Sequence, residues 1–339
     1  MQRLTGWIVP LVLLMAVLTG CSGASEGSGA SESAPPPSSP SPSTAQESAF
    51  PAESPPDAEE SGEPAWPRTI KDAVGNEIVL AKKPERIAVL HPVYLDYFFA
   101  LGEPPFASAN AAEALQEYGT LQPYAATADI LDLGSGRELS LEFIAQAKPD
   151  LIVTFKGHID TLYDSLVKIA PVVQIDFADS WQNTTMLCAA MIGKEKEAER
   201  YISETNELIK QTQDKLGDRM NRTFAMLRID GKANFFAPGT SNTMYYKADS
   251  FGLKAPEGYP EGSETLSLEG LSQMNPDYII IQHDIATAKA SVKEKESLKV
   301  WNSLKAVQEG HVLFFDNSLN TASVLAVRLA AQNLMELEN

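Results

Sequence analysis

Residues 139–153 read LSLEFIAQAKPDLIV, and residues 266–280 read LSLEGLSQMNPDYII. Eight of the fifteen positions are identical at an offset of 127 residues. Each copy has the same internal logic. Ser140 and Ser267 are placed to cap a helix N-terminus. A short amphipathic helix follows, Pro149 and Pro276 stop it, and an apolar run with the character of a buried strand begins. The chain therefore contains one helix–strand unit twice.

Outward from these copies, short apolar runs alternate with helical stretches. Strands are predicted over 86–90, 150–155, 172–175, 223–229, 277–281 and 311–315. Helices are predicted over 93–101, 141–147 and 268–274. Such alternation indicates parallel α/β units. One segment, 194–216, breaks the rhythm. Ala198, Tyr201, Ile202, Thr205, Leu208, Ile209, Thr212 and Leu216 form one stripe at spacings of three and four, and the other face is charged. A helix of that length measures about 35 Å, enough to join two lobes. The expected fold class is α/β, with two Rossmann-like lobes of mostly parallel sheet joined by a single long interdomain helix. The expected divisions are an N-terminal lobe over 66–193, the helix over 194–217, and a C-terminal lobe with a C-terminal helix over 218–339.

The 339 residues carry 27 basic and 45 acidic side chains, a formal charge of −18. From Arg68 onward the charge is −11, with 26 basic against 37 acidic residues. An acidic body excludes nucleic acid as the expected partner, because phosphate binding needs clustered Lys and Arg. Residues 1–20 have a positive Arg3, an apolar run from Trp7 to Leu18 and small residues before Cys21, the pattern of a secretory signal. Leu18-Thr19-Gly20-Cys21 resembles the bacterial lipobox, which implies cleavage before Cys21 and its lipidation. Residues 22–65 are rich in Ser, Pro, Ala, Gly and Glu and read as a disordered spacer spanning on the order of 35–40 Å as a coil. The expected location is the outer face of the cell membrane, lipid-anchored, in a Gram-positive host. The one cysteine left, Cys188, reads as a buried small apolar residue.

Four features in order resemble a known family. Residues 69–80, TIKDAVGNEIVL, precede PERIAV at 84–89. The SLE…KPDLI unit and its echo follow, and WNSLKAVQEGHV at 301–312 leads into an apolar C-terminal helix. Together they resemble the solute-binding proteins with a rigid interdomain helix that serve siderophore, haem and cobalamin ABC importers. The resemblance implies a binder without enzymatic activity or cofactor, acting as a monomer. It implies two partners, an iron chelate and a permease dimer with its ATPase. It also implies that one acidic residue per lobe, Glu142 and Glu269 by motif position, docks onto that permease. First-turn carboxylates also complement the helix dipole.

In α/β sheets, ligands bind beyond the carboxyl ends of the strands. The residues after the predicted strands are therefore the binding candidates: His91, Tyr94, Lys156, His158, Trp181, Tyr245, Tyr246, His283 and Asn320. Arg228 lies inside a strand, at a position where the resemblance implies contact with the chelate. This mixture of cationic and aromatic groups suits a large planar or anionic chelate. A ferric siderophore of hydroxamate or citrate-hydroxamate type is the expected ligand. Haem, cobalamin, or zinc held by His91, His158 and His283 are the alternatives. A surface hydrolase is the competing class, yet the chain has no Gly-x-Ser-x-Gly and no His-Glu-x-x-His.

Overall fold

The structure, a computed structural model, describes residues 65–229 and 234–337. The expected leader, Cys21 and the spacer up to residue 64 lie outside the described residues. Among the described residues no helix is long and apolar enough to cross a membrane.

The chain opens with an antiparallel hairpin, β1 (Arg68–Lys71) and β2 (Glu77–Leu80). The first half then builds a five-stranded sheet from β3 (Ile87–Val89), β4 (Ala107–Ser108), β5 (Leu131–Asp132), β6 (Leu151–Phe155) and β7 (Val172–Ile175). Its order is β5-β4-β3-β6-β7, and every pairing is parallel. The second half builds β8 (Phe224–Ile229), β9 (Phe235–Ala237), β10 (Glu264–Leu266), β11 (Tyr278–Gln282) and β12 (Val312–Phe315) in the order β10-β9-β8-β11-β12. Here β8, β11 and β12 run parallel, β9 runs antiparallel to both its neighbours, and β10 therefore points the same way as β8. In both sheets the chain winds to one side of the first strand and then the other, leaving a switch point between β3 and β6 and between β8 and β11. The expected two-lobed α/β fold is present.

The repeated unit shows why the two halves share this plan. Ser140 Oγ accepts the Phe143 N–H at 3.3 Å, and Ser267 Oγ accepts the Gly270 N–H at 3.0 Å. Helices Leu141–Ala147 and Leu268–Met274 end in left-handed residues, Lys148 and Asn275. The proline–aspartate pair then has a second use. The Asp150 carboxylate accepts the N–H groups of Glu85 (2.8 Å) and Arg86 (2.9 Å), just ahead of β3. Asp277 accepts the N–H of Thr223 (2.8 Å), just ahead of β8, and pairs with Lys305. Each aspartate thus pins the start of the neighbouring strand. β6 is buried from Leu151 to Thr154, and β11 along its whole length, as central parallel strands with both faces covered must be.

The connecting helix spans Glu195–Leu216. Its stripe packs against helix Trp181–Ile192 and the C-terminal helix Val324–Met335. The sequence reading grouped that last helix with the second lobe. It packs instead on the connecting helix and on the first-half helix Val93–Ala100, because Val324, Val327, Ala330, Ala331 and Leu334 form an apolar stripe that finds its cover there. One hydrophobic core consequently runs through both halves, from Phe98 and Met191 to Tyr245, Phe251 and Phe224.

The halves also meet through polar pins. Asp96, 1% exposed, accepts from Thr120 Oγ1 at 3.0 Å and from the hydroxyl of Ser323, which caps the C-terminal helix. Asp316, just after β12, accepts the Gly119 N–H at 2.9 Å. A Cβ at Gly119 would stand 2.9 Å from the Asp316 carboxyl carbon, so the approach needs glycine.

Candidate ligand cleft

The two halves face each other across a cavity of about 720 Å³, within the ~300–1,000 Å³ common for small-molecule sites. The first-half wall is aromatic, with Tyr94, Tyr97, Phe177 and Trp181, and also carries Lys156, Asp176 and Asp179. The second-half wall is polar, with Ser241, Asn242, Thr243, Lys247, Asp249 and Ser250, and the loop after β12 adds Asn320 and Thr321.

Local hydrogen bonds shape the aromatic wall. After β7, Asp176 Oδ1 accepts the Ala178 N–H at 2.9 Å. Asp179 Oδ1 accepts from the Ser180 N–H and from Asn183 Nδ2, both at 2.8 Å. Ser180 Oγ then caps the helix by accepting the Asn183 N–H at 3.1 Å. This folded loop starts the helix at Trp181 and leaves the Phe177 ring 56% exposed. Phe177 leans edge-on against Phe155 and His91, with centroids 5.3 and 6.0 Å away.

The polar wall is a loop held to the segment before β10. Ser241 Oγ donates to the Glu261 carbonyl at 2.7 Å, and Asn242 Nδ2 donates to the Pro238 carbonyl at 3.0 Å. Gly239 makes this possible. Its φ is +90°, and a Cβ there would come within 2.4 Å of the Glu261 oxygen.

Of the ten residues expected to meet a ligand, Tyr94, Lys156, Trp181 and Asn320 line the cavity. The Lys156 ammonium is exposed and without an ion-pair partner among the described residues, as is Lys247. Tyr94 and Ser250 hold buried hydroxyls with no hydrogen-bond partner, so both keep donor and acceptor capacity. Asn320 is held in place, accepting from Gln282 Nε2 and donating to Asn317 Oδ1 at 2.7 Å.

The other six lie off the cavity. Tyr245 is 1% exposed, packs on Phe251 and Phe315, and donates to Gln282 Oε1 at 3.1 Å. It supports Asn320 from behind. The Tyr246 hydroxyl donates to the Phe224 carbonyl and accepts the Met226 N–H, both at 2.9 Å, and is a brace for β8. In His158 both ring nitrogens are engaged at 2.7 Å, one with Thr154 Oγ1 and one with the Gly136 carbonyl. A carbonyl only accepts, so Nε2 carries the hydrogen there. The His158 ring is stacked on Phe155. His91 Nδ1 accepts the Val93 N–H at 3.3 Å. Burial, with His158 beside it, lowers the His91 pKa to about 4. His283 Nδ1 is buried and unpartnered. The three strand-end imidazoles do not converge, and among the described residues no group of three metal-ligating side chains occurs.

Arg228 occupies the β8 face shared by Phe224 and Met226, since side chains alternate along a strand. It is half-buried, has no carboxylate partner among the described residues, and is disfavoured as a cation by burial. The charge of the cleft also differs from the cationic set expected. Asp176, Asp179 and Asp249 outnumber Lys156 and Lys247. Lys247 is not marked by its position in the sequence, and Phe177 is not among the ten candidates although it follows a predicted strand. Phe177 does carry a signal, being a large apolar residue directly beyond a predicted strand.

Comparison with known proteins agrees with this geometry. The chain is 27% identical over 276 residues to the probable siderophore-binding lipoprotein YfiY of Bacillus subtilis, covering 76% of this chain and 82% of that one. It is 28% identical over 258 residues to the Fe(3+)-citrate-binding protein YfmC of the same organism, covering 72% and 77%. Among solved structures, Staphylococcus aureus SirA complexed with staphyloferrin B superposes with a TM-score of 0.65 at 24% identity, over 79% of this chain and 97% of that one. Residues 87–319 match the family model described as periplasmic binding protein. The chain belongs to that family.

Proposed function

We propose that this protein is the extracytoplasmic receptor of an ABC importer and carries a ferric siderophore of low net charge in the cleft between its halves. The cleft carries the proposal: an aromatic wall faces a hydrogen-bonding wall, with two unpaired lysines among three aspartates. A trianionic ferric tris-catecholate needs a clear cationic excess to offset its desolvation. A ferric tris-hydroxamate is neutral, presents apolar linkers to Phe177 and Trp181, and offers its oxygens to the ammonium groups of Lys156 and Lys247. That favours the hydroxamate class. The role is capture and not catalysis, in keeping with relatives named as binding proteins. Lipid on Cys21 holds the receptor at the outer face of the cell membrane, and Glu142 and Glu269, both exposed, engage the permease.

The test is a fluorescence titration of the protein with a ferric tris-hydroxamate, a ferric tris-catecholate, haem and zinc. Trp181 lines the cleft and is the reporter. Saturable quenching by the hydroxamate at submicromolar concentration is expected, weakened at least about tenfold, or 1.4 kcal/mol, by Lys156→Glu. Tighter binding of the trianionic catecholate would overturn the charge assignment. Binding of haem or zinc alone would overturn the siderophore reading.

A further inference from the structure

Two hydroxyls in the cleft have nothing to bond to. Tyr94 belongs to the first half and Ser250 to the second, and they are 2% and 4% exposed. Both line the cavity, and neither side-chain oxygen has a hydrogen-bond partner. A buried polar group left unpaired is costly, so the pair calls for a ligand group that bonds to both. Each is held ready. The Ser250 N–H donates to the Lys247 carbonyl at 3.0 Å, and its carbonyl accepts Gln213 Nε2 of the connecting helix at 2.8 Å. Burial holds the Tyr94 phenol well above its ordinary pKa, and Cys188, Tyr97 and Asp176 add to the rise. It therefore meets the ligand as a neutral hydroxyl, with lone pairs to offer.

Carboxylates stand beside both hydroxyls. The Asp176 charge reaches Tyr94, and Asp249 directly precedes Ser250 in the chain. Asp176 and Asp179 each commit one oxygen to the loop after β7. Their second oxygens, and both oxygens of Asp249, have no hydrogen-bond or ion-pair partner among the described residues. A neutral ligand would strip water from these carboxylates and return nothing. An ammonium carries a charge and three donors, and it is matched by carboxylates together with hydroxyl lone pairs. Lys156 and Lys247 are matched by the oxygens of the chelate, so the acidic excess remains for a cation.

We propose that the chelate carries a pendant primary ammonium, received in the cleft by Tyr94 and Ser250 with Asp176 and Asp249 beside them. This rests on the siderophore reading above and narrows it to a neutral ferric core with a cationic tail. The two hydroxyls and two carboxylates are the residues that select the tail.

The experiment titrates the protein with a linear ferric tris-hydroxamate that ends in a free amine, and with the same chelate N-acetylated. The free amine is expected to bind at least about tenfold more tightly. Asp176→Asn combined with Asp249→Asn is expected to reduce that preference below about twofold, with affinity for the acetylated chelate unchanged. Asparagine keeps the Oδ1 that accepts the Ala178 N–H, so the loop is preserved. Tyr94→Phe removes one acceptor and is expected to weaken the free amine at least about threefold while sparing the acetylated form. Equal affinity of the native protein for the two chelates would overturn the ammonium site and leave the siderophore reading standing. A preference undiminished in the double variant, or an equal loss of both chelates there, would overturn the assignment to these residues. Binding of neither chelate by the native protein would remove the hydroxamate reading and this inference with it.

Discussion

Asp96→Asn is expected to become progressively more stable, relative to the native protein, as pH rises from 4 to 7. Asp96 sits where the first half meets the C-terminal helix, fully buried between Thr120 and Ser323. Burial raises its pKa from the ordinary 3.8 to about 7 against the lowering effect of those two hydroxyls, with Asp316 adding to the rise. The folded state therefore keeps a proton that the unfolded chain releases at a lower pH. The stability contributed by the protonated carboxyl is complete below the unfolded pKa and is lost as pH climbs through the folded one. Each pH unit in that window corresponds to about 1.4 kcal/mol, or about 4 kcal/mol across it. Asparagine is nearly isosteric and does not ionise, so its contribution is flat. Denaturant unfolding of both proteins at half-unit steps reads the difference directly. A gap independent of pH would show that Asp96 does not titrate in this window.

Glu142→Ala combined with Glu269→Ala is expected to cut chelate uptake by well over about tenfold while leaving chelate affinity within about twofold of the native value. Both carboxylates are exposed and neither lines the cleft. Glu142 accepts one hydrogen bond from Gln146, a helix-surface contact of small energetic weight. Fold and binding should survive their loss, because neither side chain is part of a core cluster. Charge pairing across an interface governs approach and register, so the loss appears in transport. Equal loss of uptake and of binding would instead mean that the variant is misfolded or that the glutamates serve the ligand. Retained uptake would remove them from the docking surface.

The repeat made the plan of the molecule readable because its parts are local. A serine cap, a proline stop and an apolar run each act within a few residues, and helices 141–147 and 268–274 match their predicted limits. The elements missed depend on distant partners. β4 and β5 are two residues each and exist only by pairing with β3 and each other. β9 and β10 are three residues each, and β9 runs against both its neighbours, β8 and β10, which no local signal announces.

The cleft was legible in part for a related reason. Position after a strand puts a residue near the right end of a sheet but does not aim its side chain. Tyr94 and Tyr97 both line the cavity, whereas Tyr245 turns into the core toward Gln282. His158 is claimed by Thr154 and by Gly136, the latter 22 residues away in the chain. The acidic residues of the lining were visible in the sequence, but their convergence was not, because Asp249 joins Asp176 and Asp179 only across the cleft.

The most direct test is to locate the iron. Crystals of the protein grown with a ferric tris-hydroxamate, measured at the iron absorption edge, would place the metal by its anomalous scattering. The expected position is a single peak between the Phe177–Trp181 wall and the Ser241–Ser250 wall, beside Asn320. A peak elsewhere on the molecule, in protein shown to bind the chelate saturably, would contradict the assignment of the cleft.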